Sequence, residues 1–281
     1  SQGVLGKTGR DWIGVYAVRG KILNTRNATP VSIAKNTVVT EIIQALGLKQ
    51  ELDYTIDANY HTLQYGKLMI VTDADTDGLH ISGLIQNFFH SCYPSLLRRK
   101  DPFIISLQTP IVRVYSPKGD ILFYDERDFQ KYVEEFRKVS PKGNINCKYY
   151  KGLGACNEAD ITETFGRKVC TFYEDDHTGE AMVTTFHKKF ADKRKQWLEQ
   201  YDPQKIVLSW KRGNDPEVKR ISHTDYLNTE MIKFSLADCG RSLPSLMDGL
   251  KEGHRKVLFA CLKRNLKYSG KNMKVAQLAG A

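Results

Sequence analysis

Long apolar runs are missing from this sequence, and so is an apolar leader. No stretch of about 18 or more consecutive apolar residues occurs, so no transmembrane helix is expected. The first residues, Ser1 to Lys7, lack the apolar core of a secretory signal peptide, and the chain does not start with Met. We expect a protein that is neither secreted nor membrane-bound, and a chain that is part of a longer polypeptide.

Closely spaced cysteines are also missing. The six cysteines are scattered along the chain, and none forms a C-x-x-C pair, which argues against a cysteine zinc site. A chain of 281 residues can bury a core without disulfides. Free thiols and a reducing compartment are therefore expected.

An excess of positive charge is confined to the last third of the chain. Residues 1–187 contain 22 basic and 22 acidic residues, whereas residues 188–281 contain 20 basic and 10 acidic ones. Such asymmetry favours an anionic partner, with nucleic acid the first candidate. On charge alone, a solvated basic surface is an equally good interpretation.

The order of apolar runs and amphipathic segments predicts an α/β fold. Residues 67–72 form an apolar run that stops at acidic residues, and residues 78–90 follow as a helix with Phe88 and Phe89 on its apolar face. Residues 255–265 are predicted as a helix with Val257, Leu258 and Leu262 inside. Further strands are expected at 103–106, 111–115, 121–124 and 147–150, and further helices at 125–139, 158–169, 187–199 and 224–236.

The sharpest feature is an acidic cluster between the first strand and its helix, with Asp73, Asp75 and Asp77 at alternate positions. Three like charges this close raise one another's pKa, and a bound cation removes that cost. Carboxylate oxygens suit Mg²⁺ or Ca²⁺. The alternative is an Asp-rich turn in which Asp77 caps the helix, which accounts for one Asp but not for three.

Several kinds of metal site compete for this cluster. An EF-hand loop requires a Glu where Leu84 stands and a helix where a strand is predicted. An aspartyl-phosphate phosphatase would use Asp73 as nucleophile, but that family usually has Thr or Val at the position of Asp77. A strand that ends in D-x-D-x-D-G and enters a helix is similar to the metal-binding half of a TOPRIM domain, which topoisomerases, primases and some nucleases share.

The flanking segments decide between these families. Five of them, in order and spread over nearly the whole chain, resemble motifs of type IIA DNA topoisomerases, with wording closest to the eukaryotic enzymes and those of large DNA viruses. The segments are Val18–Asn24 (similar to PLRGKILN), Tyr149–Gly154 (YKGLG), Arg241–Lys251, Arg255–Phe259 and Val275–Gly280.

The sequence also departs from the family's motifs at several positions. Departures occur at Ala17-Val18, Leu79, Ser82, Glu252 and His254, whereas the three Asp are unchanged. These changes indicate a divergent member, as in viruses of the African swine fever type, and drug sensitivity does not carry over.

The resemblance implies an α/β TOPRIM fold, a parallel sheet flanked by helices, followed by the helical start of a winged-helix domain. We expect a TOPRIM core at residues 1–120, its extension and a connector at 121–222, and the winged-helix start at 223–281. The family cleaves both strands of double-stranded DNA, passes a second duplex through and reseals the break, as a homodimer that uses ATP. Localisation would be nuclear in a cellular eukaryote, or the host cytoplasm or viral factory for a virus.

The resemblance also implies roles for individual residues. Asp73 and Asp75 would hold Mg²⁺, for which Mn²⁺ or Ca²⁺ could substitute, and Asp77 would hold a second, looser ion or act through water. Taken alone, several of the implied DNA contacts would be read as surface or structural residues. The implied DNA contacts are Arg19, Lys21, Asn24, His80, Lys151, Gly152, Gly154, Arg241, Lys251, Arg255 and Lys256.

Two family essentials are expected outside this chain. The general acid/base Glu lies before the Arg19 segment in the family, and the nucleophilic Tyr lies beyond the segment that ends at Gly280. ATP is bound elsewhere in the family's proteins. We therefore expect the 281 residues alone not to cleave DNA. A TOPRIM nuclease or primase, and a non-enzymatic metal-stabilised DNA-binding module, are the competing hypotheses.

Overall fold

The computed structural model describes residue 9, residues 11–117 and residues 119–280. The chain divides into two compact units, the first ending at Ile232 and the second beginning at Lys233. The boundary predicted after residue 222 thus lies ten residues before the division into compact units, and it stays a prediction about domains. Among the described residues, no helix is long and apolar enough to cross a membrane.

The first unit contains two sheets built from seven strands. The strands are β1 (Leu68–Val71), β2 (Ile104–Leu107), β3 (Val112–Val114), β4 (Ile121–Phe123), β5 (Cys147–Tyr149), β6 (Lys168–Tyr173) and β7 (Glu217–Ser222). The larger sheet has the order β1-β2-β6-β7, and the smaller, antiparallel sheet has the order β4-β3-β5.

The α/β class is confirmed, but the larger sheet is mixed rather than uniformly parallel. β1 and β2 are parallel, as are β6 and β7, whereas β6 runs antiparallel to β2. The prediction of one helix over residues 158–169 is therefore wrong at its end. That helix stops at Thr164, Gly166 adopts φ 74°, and the chain enters β6 at Lys168.

Helices cover these sheets and form the second unit. In the first unit they are α1 (Pro30–Lys35), α2 (Thr37–Leu46), α3 (Asp57–Tyr60), α4 (Thr76–Cys92), α5 (Pro94–Leu97), α6 (Glu126–Val139), α7 (Glu158–Thr164), α8 (Thr178–Phe186), α9 (Ala191–Glu199) and α10 (His223–Tyr226). A π-helical turn spans Leu227–Met231, and short 3-10 turns span Thr25–Asn27, Leu153–Ala155 and Lys188–Phe190. The remaining helices are α11 (Ile232–Ser242), α12 (Glu252–Lys263) and α13 (Val275–Ala279).

The core of the first unit lies where α4 packs on the larger sheet. Phe88 and Phe89 are buried, and the Phe89 ring packs edge-on against Phe103, which directly precedes β2, at 5.4 Å between centroids. This is the apolar face that the sequence predicts. Because α4 is fixed by this packing, the turn that enters it is held at the end of β1.

In the second unit the predicted burial of the α12 face is wrong. No residue of α12 is buried, and Val257, Leu258 and Leu262 are exposed. The periodicity correctly predicts a helix. The described elements of this unit are too few and too short to cover its apolar side.

Candidate functional site: an acidic turn and a glycine turn in contact

The acidic turn is shaped by the start of α4. Asp75 precedes the helix in an extended conformation, and its carboxylate accepts a hydrogen bond from the backbone N–H of Gly78 at 2.8 Å. The helix N-cap is therefore Asp75 and not Asp77, the capping residue considered from the sequence. A Cβ on Gly78 would collide with the carbonyl oxygen of Asp73, so the tight entry into the helix requires glycine here.

Asp73 makes contact with the YKGLG segment, which folds into a glycine turn (residues 150–154). Its Oδ1 accepts a hydrogen bond from the backbone N–H of Leu153 at 2.6 Å. Gly152 has φ 148°, and a Cβ there would lie 2.9 Å from the carboxylate of Asp73. The close approach that Gly152 permits in this structure is thus to Asp73. Gly154 has no heavy atom within 4 Å of an added Cβ, so packing within the chain does not require glycine there.

Asp77 binds a residue of the Arg-Gly-Lys segment. The Lys21 Nζ lies 2.8 Å from Asp77 Oδ1, and both side chains are slightly more than one-third exposed. Gly20 adopts φ 78°, which turns the chain between the exposed Arg19 and Lys21. The structure therefore brings three distant segments together around the acidic turn.

Asn24 has a different environment from the one implied by the family motif. Its Nδ2 donates to the carbonyl of Phe186 at 2.8 Å, and its Oδ1 accepts from Asn87 at 3.1 Å and from the backbone N–H of Arg26. Its hydrogen bonds hold the segment against α4 and α8, which makes it a positioning residue. His80 lies in the first turn of α4 and is half-buried, and Lys151 is exposed in the glycine turn.

A buried charged network that the sequence does not predict supports the glycine turn. Arg113 is only 7% exposed, and its Nε donates to the Tyr150 hydroxyl at 2.9 Å. That hydroxyl donates to Asp160 at 2.9 Å, and Asp160 also binds Lys148 at 2.6 Å. The network fixes Tyr150 at the start of the turn. The one available signal is a lone Arg in the apolar segment Ile111–Val114.

Hydrogen bonding sets the charge states in this network. Burial alone would raise the pKa of Asp160, but hydrogen bonds from Lys148, the Asn157 backbone and Tyr150 hold that pKa below its ordinary value. Burial raises the pKa of Tyr150 to about 12, against the opposing effect of Arg113. The network is therefore ionic at Arg113 and Asp160 and neutral at Tyr150 near neutral pH.

The predicted winged-helix contacts lie in the second unit, where most have acidic neighbours. Arg255 forms two hydrogen bonds with Asp248, both at 2.8 Å, and its partner loop turns at Gly249, φ 69°. Lys256 pairs with Glu252 at 2.5 Å. Lys251 precedes α12, and Arg241 lies 3.2 Å from Asp238.

The acidic turn fits a hard divalent cation in its donor chemistry but not in its number of converging donors. Carboxylate oxygens are the ligands that Mg²⁺ prefers. Yet within the described ranges no three His, Cys, Asp or Glu side chains converge on a point where an ion could bind. Asp73, Asp75 and Asp77 each use one oxygen for Leu153, Gly78 and Lys21 respectively. The described residues thus supply part of a metal site.

Comparison with known proteins identifies the family. Residues 107–239 match the family described as "C-terminal associated domain of TOPRIM", and residues 241–281 match a "DNA gyrase/topoisomerase IV" family. The DNA topoisomerase 2 of Invertebrate iridescent virus 6 is 41% identical over 282 residues, 97% of this chain and 24% of that protein. The chain belongs to the type II DNA topoisomerase family. The human DNA topoisomerase 2-alpha is 39% identical over 287 residues, 99% of this chain and 18% of that protein.

A solved topoisomerase structure shares the fold. It is the Plasmodium falciparum topoisomerase II DNA-binding, cleavage and re-ligation domain, with a TM-score of 0.80 and 34% identity, and the match covers 99% of this chain and 36% of that one. The resemblance inferred from five motifs, including its link to viral and eukaryotic members, is confirmed. The chain spans between 18% and 24% of these two relatives.

Proposed function

We propose that this chain is the metal-binding and DNA-binding part of the cleavage–religation core of an ATP-dependent type II DNA topoisomerase. The observation that carries the proposal is the contact between the acidic turn and the glycine turn, at Asp73 and Leu153, with Lys21 on Asp77. Carboxylates, an exposed lysine and close-packed glycines at one place suit a site for a phosphodiester and a cation.

In this proposal Asp73 and Asp75 hold Mg²⁺, and Asp77 serves a second, looser ion. Each of the first two carboxylates has one oxygen in a hydrogen bond with a backbone N–H, which orients the side chain. The second oxygen of each is left to bind a cation. A Glu from outside the 281 residues completes the site, and Mn²⁺ or Ca²⁺ can replace Mg²⁺. The bound ion supplies charge stabilisation at the phosphate.

The DNA duplex contacts the exposed cations around the acidic turn. Arg19 and Lys151 point to solvent and suit phosphate binding, and Lys21 can exchange Asp77 for a phosphate. His80, Gly152 and Gly154 line the same turns, and Asn24 holds its segment in place. Arg241, Lys251, Arg255 and Lys256 of the second unit add further phosphate contacts.

The whole protein completes the reaction in this proposal. A Tyr outside this chain attacks the phosphorus, the bond from phosphorus to the 3′ oxygen breaks, and the 5′ end stays on the Tyr as a phosphotyrosine. Religation reverses these bond changes after a second duplex has passed. The protein acts as a homodimer, binds ATP outside these residues, and works where nuclear or viral DNA is handled.

The test is an assay for unlinking of catenated DNA circles by the full-length protein. The proposal requires separated, intact circles only when both ATP and Mg²⁺ are present. Linear or nicked products that need no ATP would instead identify a TOPRIM nuclease. DNA binding without either outcome would identify a non-enzymatic module. The isolated 281 residues are expected to form no covalent complex with DNA.

A further inference from the structure

A second basic feature lies next to the segment that we propose to contact DNA. It is the short helix Lys188–Phe190, called here the basic turn, between α8 and α9. The stretch from Lys188 to Lys195 has five basic residues and one acidic one. None of these residues has a role in the function proposed above.

Hydrogen bonds tie the basic turn to the end of the Arg19–Asn24 segment. The side-chain amides of Asn24 and Asn27 both donate to the carbonyl of Phe186, at 2.8 Å and 2.6 Å. Asn27 also accepts from the backbone N–H of Lys188 at 2.9 Å. The two segments therefore form one continuous edge although they are about 160 residues apart in sequence.

The backbone of the basic turn is fixed from its other side as well. Arg194 donates from Nη1 to the carbonyls of Thr184, at 3.2 Å, and His187, at 2.7 Å. The His187 ring accepts from the backbone N–H of Lys189 at 3.2 Å. A backbone held in this way loses little further freedom on binding, so only the lysine side chains need to be ordered.

The charges of the basic turn are not neutralised within the part of the chain that the structure describes. Lys188 and Lys189 are exposed, and neither forms an ion pair with a described acidic residue. The neighbouring lysines differ in this respect, because Lys193 lies 3.4 Å from Glu180 and Lys195 lies 2.9 Å from Asp192. Uncompensated charge is thus concentrated at the end that adjoins the Arg19–Asn24 segment.

The separation of the two sites matches a few base pairs. The Arg19–Asn24 segment contacts α4 at Asp77 through Lys21 and at Asn87 through Asn24. Ten residues of α-helix rise about 15 Å. That length corresponds to about four base pairs of duplex DNA.

We infer that the basic turn is an additional phosphate-binding surface for double-stranded DNA, with Lys188 and Lys189 contacting the backbone about four base pairs from the acidic turn. This inference rests on the proposed function, because it assumes that a duplex lies along the Arg19–Asn24 segment. Such contacts strengthen and orient binding without reading sequence.

The experiment measures the salt dependence of binding of the full-length protein to a fluorescent DNA duplex of random sequence. The Lys188→Ala/Lys189→Ala variant should lower the slope of log K against log salt by about 1.8, the value for two lost phosphate contacts. Its affinity at 0.1 M salt should fall roughly 10- to 60-fold. The matched control is Lys193→Ala/Lys195→Ala, which removes the same charge from paired lysines and should leave the slope unchanged.

An unchanged slope in the Lys188→Ala/Lys189→Ala variant would overturn the inference, and so would an equal loss in the control. An Arg19→Ala/Lys151→Ala variant separates this failure from failure of the proposed function. If that variant loses affinity and the basic-turn variant does not, only the inference fails. If neither loses affinity, both fail.

Discussion

Leu153 donates its backbone N–H to the carboxylate of Asp73 across 80 residues of chain, at 2.6 Å. The contact joins the two motifs that the family uses for metal and for DNA. It makes the orientation of one proposed metal ligand depend on the conformation of the glycine turn.

Replacing Gly152 by Ala should therefore damage the site directly. The added Cβ would lie 2.9 Å from the Asp73 carboxylate, at a φ of 148° that side chains rarely adopt. We expect a loss of about 1–3 kcal/mol in the free energy of unfolding, measured in urea, together with loss of DNA cleavage. Gly154→Ala is the matched control for the steric effect. It should leave stability within about 0.5 kcal/mol of the wild type and weaken DNA binding only.

The buried network beneath the glycine turn should be essential for its conformation. Arg113→Met removes the cation that binds the Tyr150 hydroxyl and Asp160 and leaves their buried polar groups without it. We expect a loss of about 3 kcal/mol or more in unfolding free energy. Tyr150→Phe, which keeps the ring, should cost about 1–2 kcal/mol. Equal stability of wild type and Arg113→Met would show that the network does not support the turn.

Lys21 should contribute far more to DNA binding than to stability. Its pair with Asp77 is partly exposed, and pairs of this kind contribute about 0.2–1 kcal/mol. Lys21→Met should therefore leave the melting temperature nearly unchanged while lowering DNA affinity several-fold at low salt. Affinity equal to that of the wild type would assign Lys21 to the Asp77 pair alone.

Stability should fall in acid because of the pair between β6 and β7. Burial would raise the pKa of Glu217, but bonds from Lys219, the Lys211 backbone and Lys168 lower it from 4.5 to about 2. A lowered pKa stabilises the fold above pH 4.5, and this contribution, about 3 kcal/mol, is lost as pH falls from 4.5 through 2. Urea unfolding against pH should show this slope. Glu217→Gln should remove it, whereas the exposed Glu199→Gln should not.

The strand–turn–helix unit of the site is predictable from sequence, because an apolar run, an acidic cluster and an amphipathic segment follow one another directly. β6 is not predicted, since it begins with Lys168, a fully buried lysine whose partner Glu217 is 49 residues away. α2 carries local signals that could have been read, because Asn36 caps its start and Gly47 ends it at φ 69°. The Asp73–Leu153 contact has no local signal, because only the tertiary fold brings the two turns together.

The choice between Asp75 and Asp77 as helix cap is another limit of the sequence. Both positions suit a cap by residue type, and the turn at Gly78 decides for Asp75. Asp77 is then available for Lys21. The three carboxylates therefore have three different local roles, which equal spacing in the sequence does not reveal.

The most direct test of the account is the unlinking of catenated DNA by the full-length Asp73→Asn/Asp75→Asn variant, with ATP and Mg²⁺. Asn keeps the hydrogen bonds to Leu153 and Gly78 and the helix cap but removes the charge that binds a cation. We predict a folded protein with wild-type melting temperature, retained DNA binding and no unlinking. Unlinking at the wild-type rate would contradict the account, because the metal chemistry would then lie away from the acidic turn.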